Sequence, residues 1–335
     1  MRSLFFAREG TMELWDVEVP TPGVGQVRVK TAFASLCATD VHQVTMGVLG
    51  AKPPMPLGHE TSGTVDALGP GTEASGLRIG DKVTAFPVSV CGQCVRCKRG
   101  QPQYCENATP FGGFSESYVT SANNIFRLPD DADLKSFTIT EPTVCAIRAM
   151  DLAPIAHGQT VAISGIGGIG AILLNAILLS GAAKVTVIEP VEAKRAMALE
   201  MGATHAIDPV AEDVVARADA ITGGLGFDVV FEASGSPRAA RPALDIVGKC
   251  GRVVYFAVYP PTFEFPVNLY DLYSKEAAIL TVFTNPDLFP RAIDLLPRLD
   301  LERIIGPVVP LSRALEGVEL FNSGQYPKVV LDCSQ

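Results

Sequence analysis

The decisive stretch reads Val161-Ala162-Ile163-Ser164-Gly165-Ile166-Gly167-Gly168-Ile169-Gly170, which places the pattern G-x-G-x-x-G between a predicted strand and a predicted helix. Glycines at these positions permit a tight turn and close approach of a pyrophosphate, which the helix N-terminus then faces. Glycines also occur where a helix merely packs on a sheet, so the pattern alone leaves that simpler interpretation open. The candidate cofactor-binding residues of this loop are Gly165, Gly167, Gly168, Ile169 and Gly170.

The segments around this loop indicate an α/β chain of two domains. From residue 160 onward, strands alternate with helices, which is typical of a Rossmann-type parallel sheet. The predicted strands are 161–164, 184–188, 227–232, 252–256 and 278–282, and the predicted helices are 169–180, 192–201 and 238–247. Before residue 145, short β-type runs separated by Pro and Gly turns predict a barrel-like β domain. We expect one domain from 1–145 with 286–335, and a Rossmann domain over 146–285.

Composition and charge narrow the class of protein. The 335 residues are 47% hydrophobic, enough for substantial cores in two domains. A formal charge of −9 gives no attraction to nucleic acid or to an anionic membrane, so a small-molecule partner is expected. The longest apolar stretch, 171–179, is far shorter than the roughly 20 residues that span a bilayer. Because the N-terminus also lacks the apolar run of a secretory signal, we expect a cytoplasmic protein.

A carboxylate beyond the second predicted strand bears on the choice of cofactor. Glu189 lies 19 positions after Gly170, where a carboxylate accepts hydrogen bonds from the adenosine ribose hydroxyls. It would repel a 2′-phosphate, which favours NAD over NADP. Lys194 and Arg195 follow closely and keep the NADP alternative open, although they also suit a solvated helix face.

Four cysteines form one compact loop. Cys91, Cys94, Cys97 and Cys105 follow the pattern C-x2-C-x2-C-x7-C, which suits tetrahedral zinc. An iron–sulfur cluster is the main alternative, but its common run ends C-x3-C-P, which this loop does not match. Four protein ligands leave no open coordination position, so a metal here would hold together a lobe of about residues 88–108. Crowding of half of the eight cysteines into this loop favours metal binding over a disulfide scaffold.

A second set of candidate ligands is dispersed along the chain. Cys37, His59 and Glu141 would supply a thiolate, an imidazole and a carboxylate, giving a zinc with one position open for substrate. Each residue alone has a simpler interpretation: a small core side chain, a hydrogen-bonded structural histidine and a helix start. Their occurrence together with a dinucleotide loop favours the metal site.

These motifs resemble those of the zinc-containing medium-chain dehydrogenase/reductase superfamily, which includes the alcohol and sorbitol dehydrogenases, across nearly the whole chain. Cys37-Ala38-Thr39-Asp40-Val41-His42 resembles that superfamily's C-G-S/T-D-x-H, Gly58-His59-Glu60 its G-H-E, and residues 112–118 its G-G-F-A-E-Y. The resemblance implies a GroES-like β-barrel catalytic domain beside the Rossmann domain. It also implies two zinc ions per subunit, with Cys37, His59 and Glu141 binding the catalytic one, since Glu141-Pro142 resembles the E-P dipeptide of polyol-type members.

The resemblance also implies roles for residues around the zinc. Glu60 would lie beside the metal as a direct, water-mediated or alternating ligand, and Cys145 is an alternative to Glu141. Thr39 would pass the substrate proton through the nicotinamide ribose to His42.

Two further implications concern the cofactor and assembly. Lys328 resembles a basic residue that such enzymes direct at the cofactor phosphates, with a surface lysine as the alternative. Members form homodimers or homotetramers through the cofactor domain, and the apolar stretch 270–282 would supply that interface or a buried strand.

The expected function is reversible oxidation of a secondary alcohol or polyol to a ketone with NAD. One alternative is a reductase of the same fold that acts on a bulkier carbonyl or alkene, uses NADPH and holds only a structural zinc. Another is a non-catalytic zinc-binding interaction protein. Leu49, Phe111 and Phe283 are candidates for shaping the substrate pocket.

Overall fold

The computed structural model describes residues 1–335 and arranges eighteen strands in four sheets. The strands are β1 (Arg2–Arg8), β2 (Thr11–Asp16), β3 (Gln26–Ser35), β4 (Met55–Pro56), β5 (Glu60–Leu68), β6 (Lys82–Ala85), β7 (Val88–Ser89), β8 (Thr109–Pro110), β9 (Ser117–Ser121), β10 (Ile125–Arg127), β11 (Thr160–Ser164), β12 (Lys184–Ile188), β13 (His205–Ile207), β14 (Phe227–Glu232), β15 (Val247–Tyr255), β16 (Ala278–Thr281), β17 (Ile305–Pro310) and β18 (Lys328–Asp332). The helices are α1 (Ala38–Met46), α2 (Val95–Lys98), α3 (Leu134–Phe137), α4 (Thr140–Leu152), α5 (Gly168–Leu178), α6 (Glu192–Glu200), α7 (Val214–Thr222), α8 (Pro237–Asp245), α9 (Leu269–Lys275), α10 (Phe289–Leu295), α11 (Leu301–Ile304) and α12 (Ala314–Asn322).

The second half of the chain forms a six-stranded parallel sheet in the order β13-β12-β11-β14-β15-β16. Val161, Ala162 and Ile163 of the central strand are fully buried, because helices cover both faces of the sheet. Each of the six strands points its carboxyl end at the same edge, where β11 runs into the glycine loop and α5. The predicted Rossmann fold is therefore confirmed.

The first half of the chain is built around a long antiparallel strand. β3 pairs with β5, β9 and β18, and its pairing with β5 shifts register twice, which bends the sheet as expected of a barrel. The C-terminal strands β17 and β18 join this sheet, where Val330 of β18 pairs with Ser35 of β3. The predicted β-barrel domain is confirmed, and its last strand comes from the end of the chain.

One strand of the parallel sheet differs from its sequence prediction. β15 begins at Val247, five residues before the predicted start, and α8 accordingly ends at Asp245. The early part of β15 carries Gly248 and Gly251, and a Cβ on Gly248 would meet the carbonyl oxygen of Leu225 at 2.5 Å. Glycines that allow such close backbone approach weaken the strand pattern in the sequence.

No helix of the structure combines the length and the apolar character needed to cross a membrane.

Candidate active site and metal centres

The four cysteines of the predicted lobe converge on one point. Their sulfurs lie within 4.8 Å of one another, with 3.5 Å between Cys105 and Cys91 and 3.6 Å between Cys94 and Cys97. Tetrahedral zinc with bonds of 2.3 Å requires sulfur atoms about 3.8 Å apart. The cluster therefore fits a four-sulfur zinc site, and all four ligands come from the chain itself.

Hydrogen bonds prepare one of these sulfurs for metal binding. The backbone N–H groups of Gln93 and Cys94 and the side chain of Asn107 donate to Cys91 Sγ, and they lower the pKa of that thiol to about 6. Burial and the neighbouring thiols raise the pKa of Cys97. A divalent cation would relieve the resulting repulsion between thiolates, which agrees with a metal at this position.

A second cluster unites residues from two segments. Cys37 caps the start of α1, while His59 and Glu60 lie where β5 begins, and one ligand atom of each falls within 4.8 Å of the other two. All three residues line the same large cavity. A thiolate, an imidazole and a carboxylate at such separations match the donor set of a catalytic zinc site.

Asp40 orients this cluster, a role that the sequence did not indicate. Its fully buried carboxylate accepts hydrogen bonds from the backbone N–H of Cys37 and Gly58, at 3.0 and 3.2 Å, and lies 3.0 Å from His59 Nδ1. Burial alone would lower the pKa of His59, but the charge and hydrogen bond of Asp40, with Cys37, raise it well above its ordinary value. With Nδ1 engaged by Asp40, Nε2 is the nitrogen available to a metal.

Glu60 is held by a buried ion pair. Lys328, only 3% exposed, donates from Nζ to the Glu60 carboxylate, with 2.5 Å to Oε1, and also to the carbonyl oxygen of Leu36 at 3.2 Å. Ser35 donates a further hydrogen bond to Glu60. Lys328 is thus buried, which excludes the surface alternative, and its ammonium binds Glu60 beside the candidate metal ligands.

Glu141 borders the cluster without joining the closest set of ligand atoms. It lies in the first turn of α4 at 6% exposure, and Cys145 one turn later donates to its Oε1 at 3.5 Å. Burial raises the pKa of the Glu141 carboxyl, and the charge of His59 opposes that rise. Both Glu141 and Cys145 line the cavity, so both candidate ligands named from the sequence face the same space.

The two candidate proton-relay residues lie on α1. Thr39 and His42 both line the cavity, with Thr39 two residues after Cys37. His42 Nδ1 is buried without a hydrogen-bond partner, and burial lowers the pKa of the ring.

The glycine loop leaves open space at one position and packs tightly at others. Gly165 adopts φ +90°, and a Cβ on Gly170 would stand 1.9 Å from the carbonyl oxygen of Gly165. A Cβ on Gly167, the N-cap of α5, would meet no atom within 4 Å. Turn, close helix packing and an open approach are the three glycine roles of a dinucleotide site, so the loop fits a pyrophosphate. Gly168 and Ile169 begin α5 and line the same cavity.

The acidic residue that was predicted to meet the adenosine ribose lines the same cavity. Glu189 is 4% exposed and accepts hydrogen bonds from the backbone N–H of Ile166, at 2.7 Å, and of Val191, at 3.0 Å. Lys194, 8% exposed, lines the cavity nearby. Arg195 donates to two backbone carbonyls and lies 2.9 Å from Asp208, so its guanidinium is already engaged.

One cavity of about 1430 Å³ contains both the metal cluster and the glycine loop. Leu49, Phe111 and Phe283, expected from the sequence to shape the pocket, all line it. Gln103 and Thr284, two polar residues that belong to no recognised motif, line it as well. A dinucleotide-binding sheet and a barrel that offers zinc ligands in the same cavity define a two-domain zinc-binding dehydrogenase.

Comparison with known proteins places the chain within this class. The model of the alcohol dehydrogenase GroES-like domain matches residues 23–130, and that of the zinc-binding dehydrogenases matches residues 168–298. L-Threonine 3-dehydrogenase of Pyrococcus horikoshii is 38% identical over 74% of this chain and 73% of its own length. Sorbitol dehydrogenase of Bacillus subtilis is 27% identical over 92% of this chain and 90% of its own.

Solved structures give the same result. A protein from Clostridium scindens assigned as a zinc-binding dehydrogenase superposes with a TM-score of 0.95, at 34% identity and full coverage of both chains. Another from Sinorhizobium meliloti, bound to NADP, gives a TM-score of 0.90 at 28% identity, covering 99% of this chain and 98% of its own. The chain belongs to the zinc-type alcohol dehydrogenase family of the zinc-containing medium-chain dehydrogenase/reductase superfamily.

Proposed function

We propose that this enzyme oxidises a secondary alcohol or polyol to a ketone with NAD, reversibly and with a catalytic zinc. The observation that carries the proposal is the meeting of Cys37, His59 and Glu60 within 4.8 Å on the wall of the cavity that also contains the glycine loop. A bound alcohol would therefore lie between a Lewis acid and a nicotinamide, as alcohol oxidation requires.

Three residues would bind the catalytic zinc, and a fourth would lie beside it. Cys37, His59 and Glu141 are the proposed ligands, with Glu60 as a neighbour or alternating ligand. A zinc ion bound there supplies Lewis acidity that favours ionisation of a substrate hydroxyl. Asp40 fixes the His59 ring through the 3.0 Å contact at Nδ1. The Cys91, Cys94, Cys97 and Cys105 cluster would hold the second, structural zinc.

The proton released in the reaction needs a route to solvent. Thr39 is the proposed first acceptor and His42, through the cofactor ribose, the last. Support comes from the position of both residues on the cavity wall and from the unpartnered Nδ1 of His42. Burial lowers the pKa of His42, which favours the neutral ring, the form that accepts a proton.

NAD is the proposed cofactor. Glu189 would place a carboxylate at the adenosine ribose, and Arg195 is already bound to Asp208 and two carbonyls, so it would not neutralise a 2′-phosphate without losing those contacts. Lys194 would contact the ribose from the same wall, and Lys328 would act through Glu60 beneath the glycine loop. The NADP-bound relative makes NADP the competing choice.

A homodimer or homotetramer is the proposed assembly. β16 forms one edge of the parallel sheet, and the neighbouring Tyr270 and Tyr273 are 73% and 82% exposed. A second copy would cover this apolar edge. Sedimentation equilibrium would detect a dimer or larger species, and a monomer at micromolar concentration would contradict the assignment.

The test of the enzymatic function combines metal analysis with cofactor reduction. We expect two zinc ions per subunit and faster reduction of NAD than of NADP with polyols, sugars or simple secondary alcohols as substrates. One zinc per subunit without oxidation of any alcohol would contradict the catalytic zinc. Preferential use of NADPH with an alkene or bulky carbonyl would favour the reductase alternative.

A further inference from the structure

A fully buried carboxylate lies at the carboxyl edge of the parallel sheet, apart from the metal clusters and the glycine loop. Glu232 is the last residue of β14 and is 0% exposed, and it pairs with Ser164 of β11 on one side and with Tyr255 of β15 on the other. It is not paired with a lysine as Glu60 is, but accepts hydrogen bonds from neutral groups. Burying a carboxylate without a cation is costly, so the fold depends on these hydrogen bonds.

The donors to Glu232 come from two loops. In the loop after β14, the backbone N–H of Ser234 donates to Oε1 at 3.0 Å and that of Gly235 to Oε2 at 3.2 Å, and the Ser234 hydroxyl donates as well. In the loop after β15, the hydroxyl of Tyr259 donates to Oε2. Burial, the hydrogen bond to Glu232 and its negative charge raise the pKa of Tyr259, so the phenol keeps its proton and remains a donor. One carboxylate thus ties the two loops together.

Both loops form part of the cavity wall beside the glycine loop. Ser234 of the first loop and Val258 of the second line the cavity, whereas the fully buried Glu232 does not. A Cβ on Gly165 would stand 2.7 Å from the Cα of Ser234, so the first loop packs directly on the turn of the glycine loop. A Cβ on Gly235 would stand 3.0 Å from the carbonyl oxygen of Val258, so the two loops also contact each other. A shift of either loop would therefore change the shape of this wall.

The strand order indicates which half of a dinucleotide these loops face. In a doubly wound sheet, the dinucleotide crosses the carboxyl edge at the point where the strand order reverses. Here β12, which Glu189 follows, lies on one side of β11, and β14 and β15 lie on the other. With the adenosine half over β12 and the pyrophosphate at the glycine loop after β11, the nicotinamide half falls over the ends of β14 and β15.

We propose that Glu232 is a positioning residue for the nicotinamide half of the cofactor. Its carboxylate holds the loops after β14 and β15 in one arrangement, and this arrangement forms the wall that the nicotinamide ribose and ring contact. Glu232 itself touches neither the cofactor nor a substrate, because its side chain is fully buried behind Ser234. Loops that are already ordered lose less entropy when a ligand binds, which strengthens binding. This role rests on the proposed use of a nicotinamide dinucleotide.

Two substitutions test the role of Glu232. Glu232→Gln retains the shape of the side chain but replaces one acceptor oxygen by an amide nitrogen, which would face the backbone N–H of Ser234 or of Gly235. Tyr259→Phe removes only the hydroxyl that ties the second loop, and it leaves the ring stacked on Phe263, with the ring centroids 5.4 Å apart. This milder change tests the proposal even if Glu232→Gln impairs folding.

Tyr255→Phe is the matched control. Tyr255 belongs to the same aromatic cluster, with its ring centroid 6.2 Å from that of Tyr259, but its hydroxyl donates to the carbonyl oxygen of Ala240 in α8. The control therefore loses a tyrosine hydroxyl from the same region without removing a hydrogen bond to Glu232. Its Kd for NADH should stay within about twofold of that of the unsubstituted enzyme.

Calorimetric titration of the zinc-loaded enzyme with NADH and with ADP separates positioning from general damage. ADP has the adenosine and the pyrophosphate but lacks the nicotinamide ribose and the ring. Glu232→Gln and Tyr259→Phe should each raise the Kd for NADH by about 5- to 30-fold, because a buried hydrogen-bond network is left partly unsatisfied, and leave the Kd for ADP within about twofold.

The two ligands and the control give distinct outcomes. Equal weakening of NADH and ADP, or an unchanged Kd for NADH in either test variant, would overturn the assignment of Glu232. So would a Tyr255→Phe variant that binds NADH as weakly as Tyr259→Phe does. Failure of the unsubstituted enzyme to bind NADH or NADPH would instead count against the proposed function.

Discussion

Gly167→Ala should weaken binding of the dinucleotide and leave the stability of the fold nearly unchanged. Gly167 is the N-cap of α5 with φ −79° and ψ −165°, a conformation that alanine adopts without strain. A Cβ at this position would meet no protein atom within 4 Å. The space it would enter is the space through which a pyrophosphate approaches the helix N-terminus. The methyl group should therefore leave the fold intact but obstruct the approach of the dinucleotide pyrophosphate.

The expected magnitudes follow from these contacts. Alanine reduces the entropy of the unfolded chain, which stabilises the fold by about 0.4–1 kcal/mol, but it is a poorer N-cap than glycine by roughly 0.5–1 kcal/mol, so the two effects nearly cancel. The free energy of unfolding should therefore change by no more than about 0.5 kcal/mol. Loss of one backbone hydrogen bond to a charged phosphate costs about 1.5–3 kcal/mol, which corresponds to a Kd for NADH raised about 10- to 150-fold.

Fluorescence titration with NADH and urea denaturation of the cofactor-free protein measure the two quantities. Gly170→Ala is the control, because its Cβ would stand 1.9 Å from the carbonyl oxygen of Gly165. That variant should lose about 1–3 kcal/mol of stability through overpacking. An unchanged Kd for NADH in Gly167→Ala would refute the assignment of this loop to the cofactor pyrophosphate.

Three further predictions concern the metal centres. Lys328→Met leaves the fully buried Glu60 carboxylate without its cation, so urea denaturation should show that the free energy of unfolding falls by about 3–5 kcal/mol. Adding Glu60→Gln should restore most of this stability, and a double variant as unstable as the single one would contradict the pairing. Asp40→Asn removes the carboxylate that orients His59, and competition with a chelator should show that the affinity for the catalytic zinc is lowered about 10- to 100-fold. An unchanged zinc affinity would argue against the orientation of His59 by Asp40. Cys105→Ser should remove about one zinc per subunit in elemental analysis, and retention of both would disprove the four-sulfur site.

Much of the parallel sheet could be predicted because its strands are buried on both faces. β12 and β14 have the predicted bounds, 184–188 and 227–232, since both are short runs rich in β-branched or aromatic residues. Short β13 and helix α7 carry no comparable run, and they were not predicted. The start of β15 was not predicted because it contains glycines, which weaken a strand pattern. Gly248 is needed there because the backbone of Leu225 and Gly226 approaches closely.

The candidate ligands were identifiable from local motifs, whereas the partners that position them were not. The spacing of the four lobe cysteines indicates a zinc site by itself. Cys37 and His59 were selected because they lie in motifs that resemble those of the superfamily and occur together with a dinucleotide loop. In the sequence, Asp40 is an ordinary helix-start residue. Only the fold, which places the beginning of β5 beside α1, shows that Asp40 lies 3.0 Å from His59 Nδ1. Lys328 is 268 positions from Glu60, and no local pattern predicts an ion pair that depends on β18 pairing with β3.

That ion pair also connects the glycine loop with the candidate metal cluster. Lys328 belongs to the barrel sheet, yet a Cβ on Gly168 of the cofactor loop would meet its Cε at 2.5 Å. The lysine therefore passes directly against the start of α5 before its ammonium reaches Glu60 beside the metal ligands. Since the buried charge of Glu60 requires that ammonium, the lysine side chain has little freedom to move. One residue of the last strand thus contacts the glycine loop and neutralises a carboxylate of the candidate metal cluster.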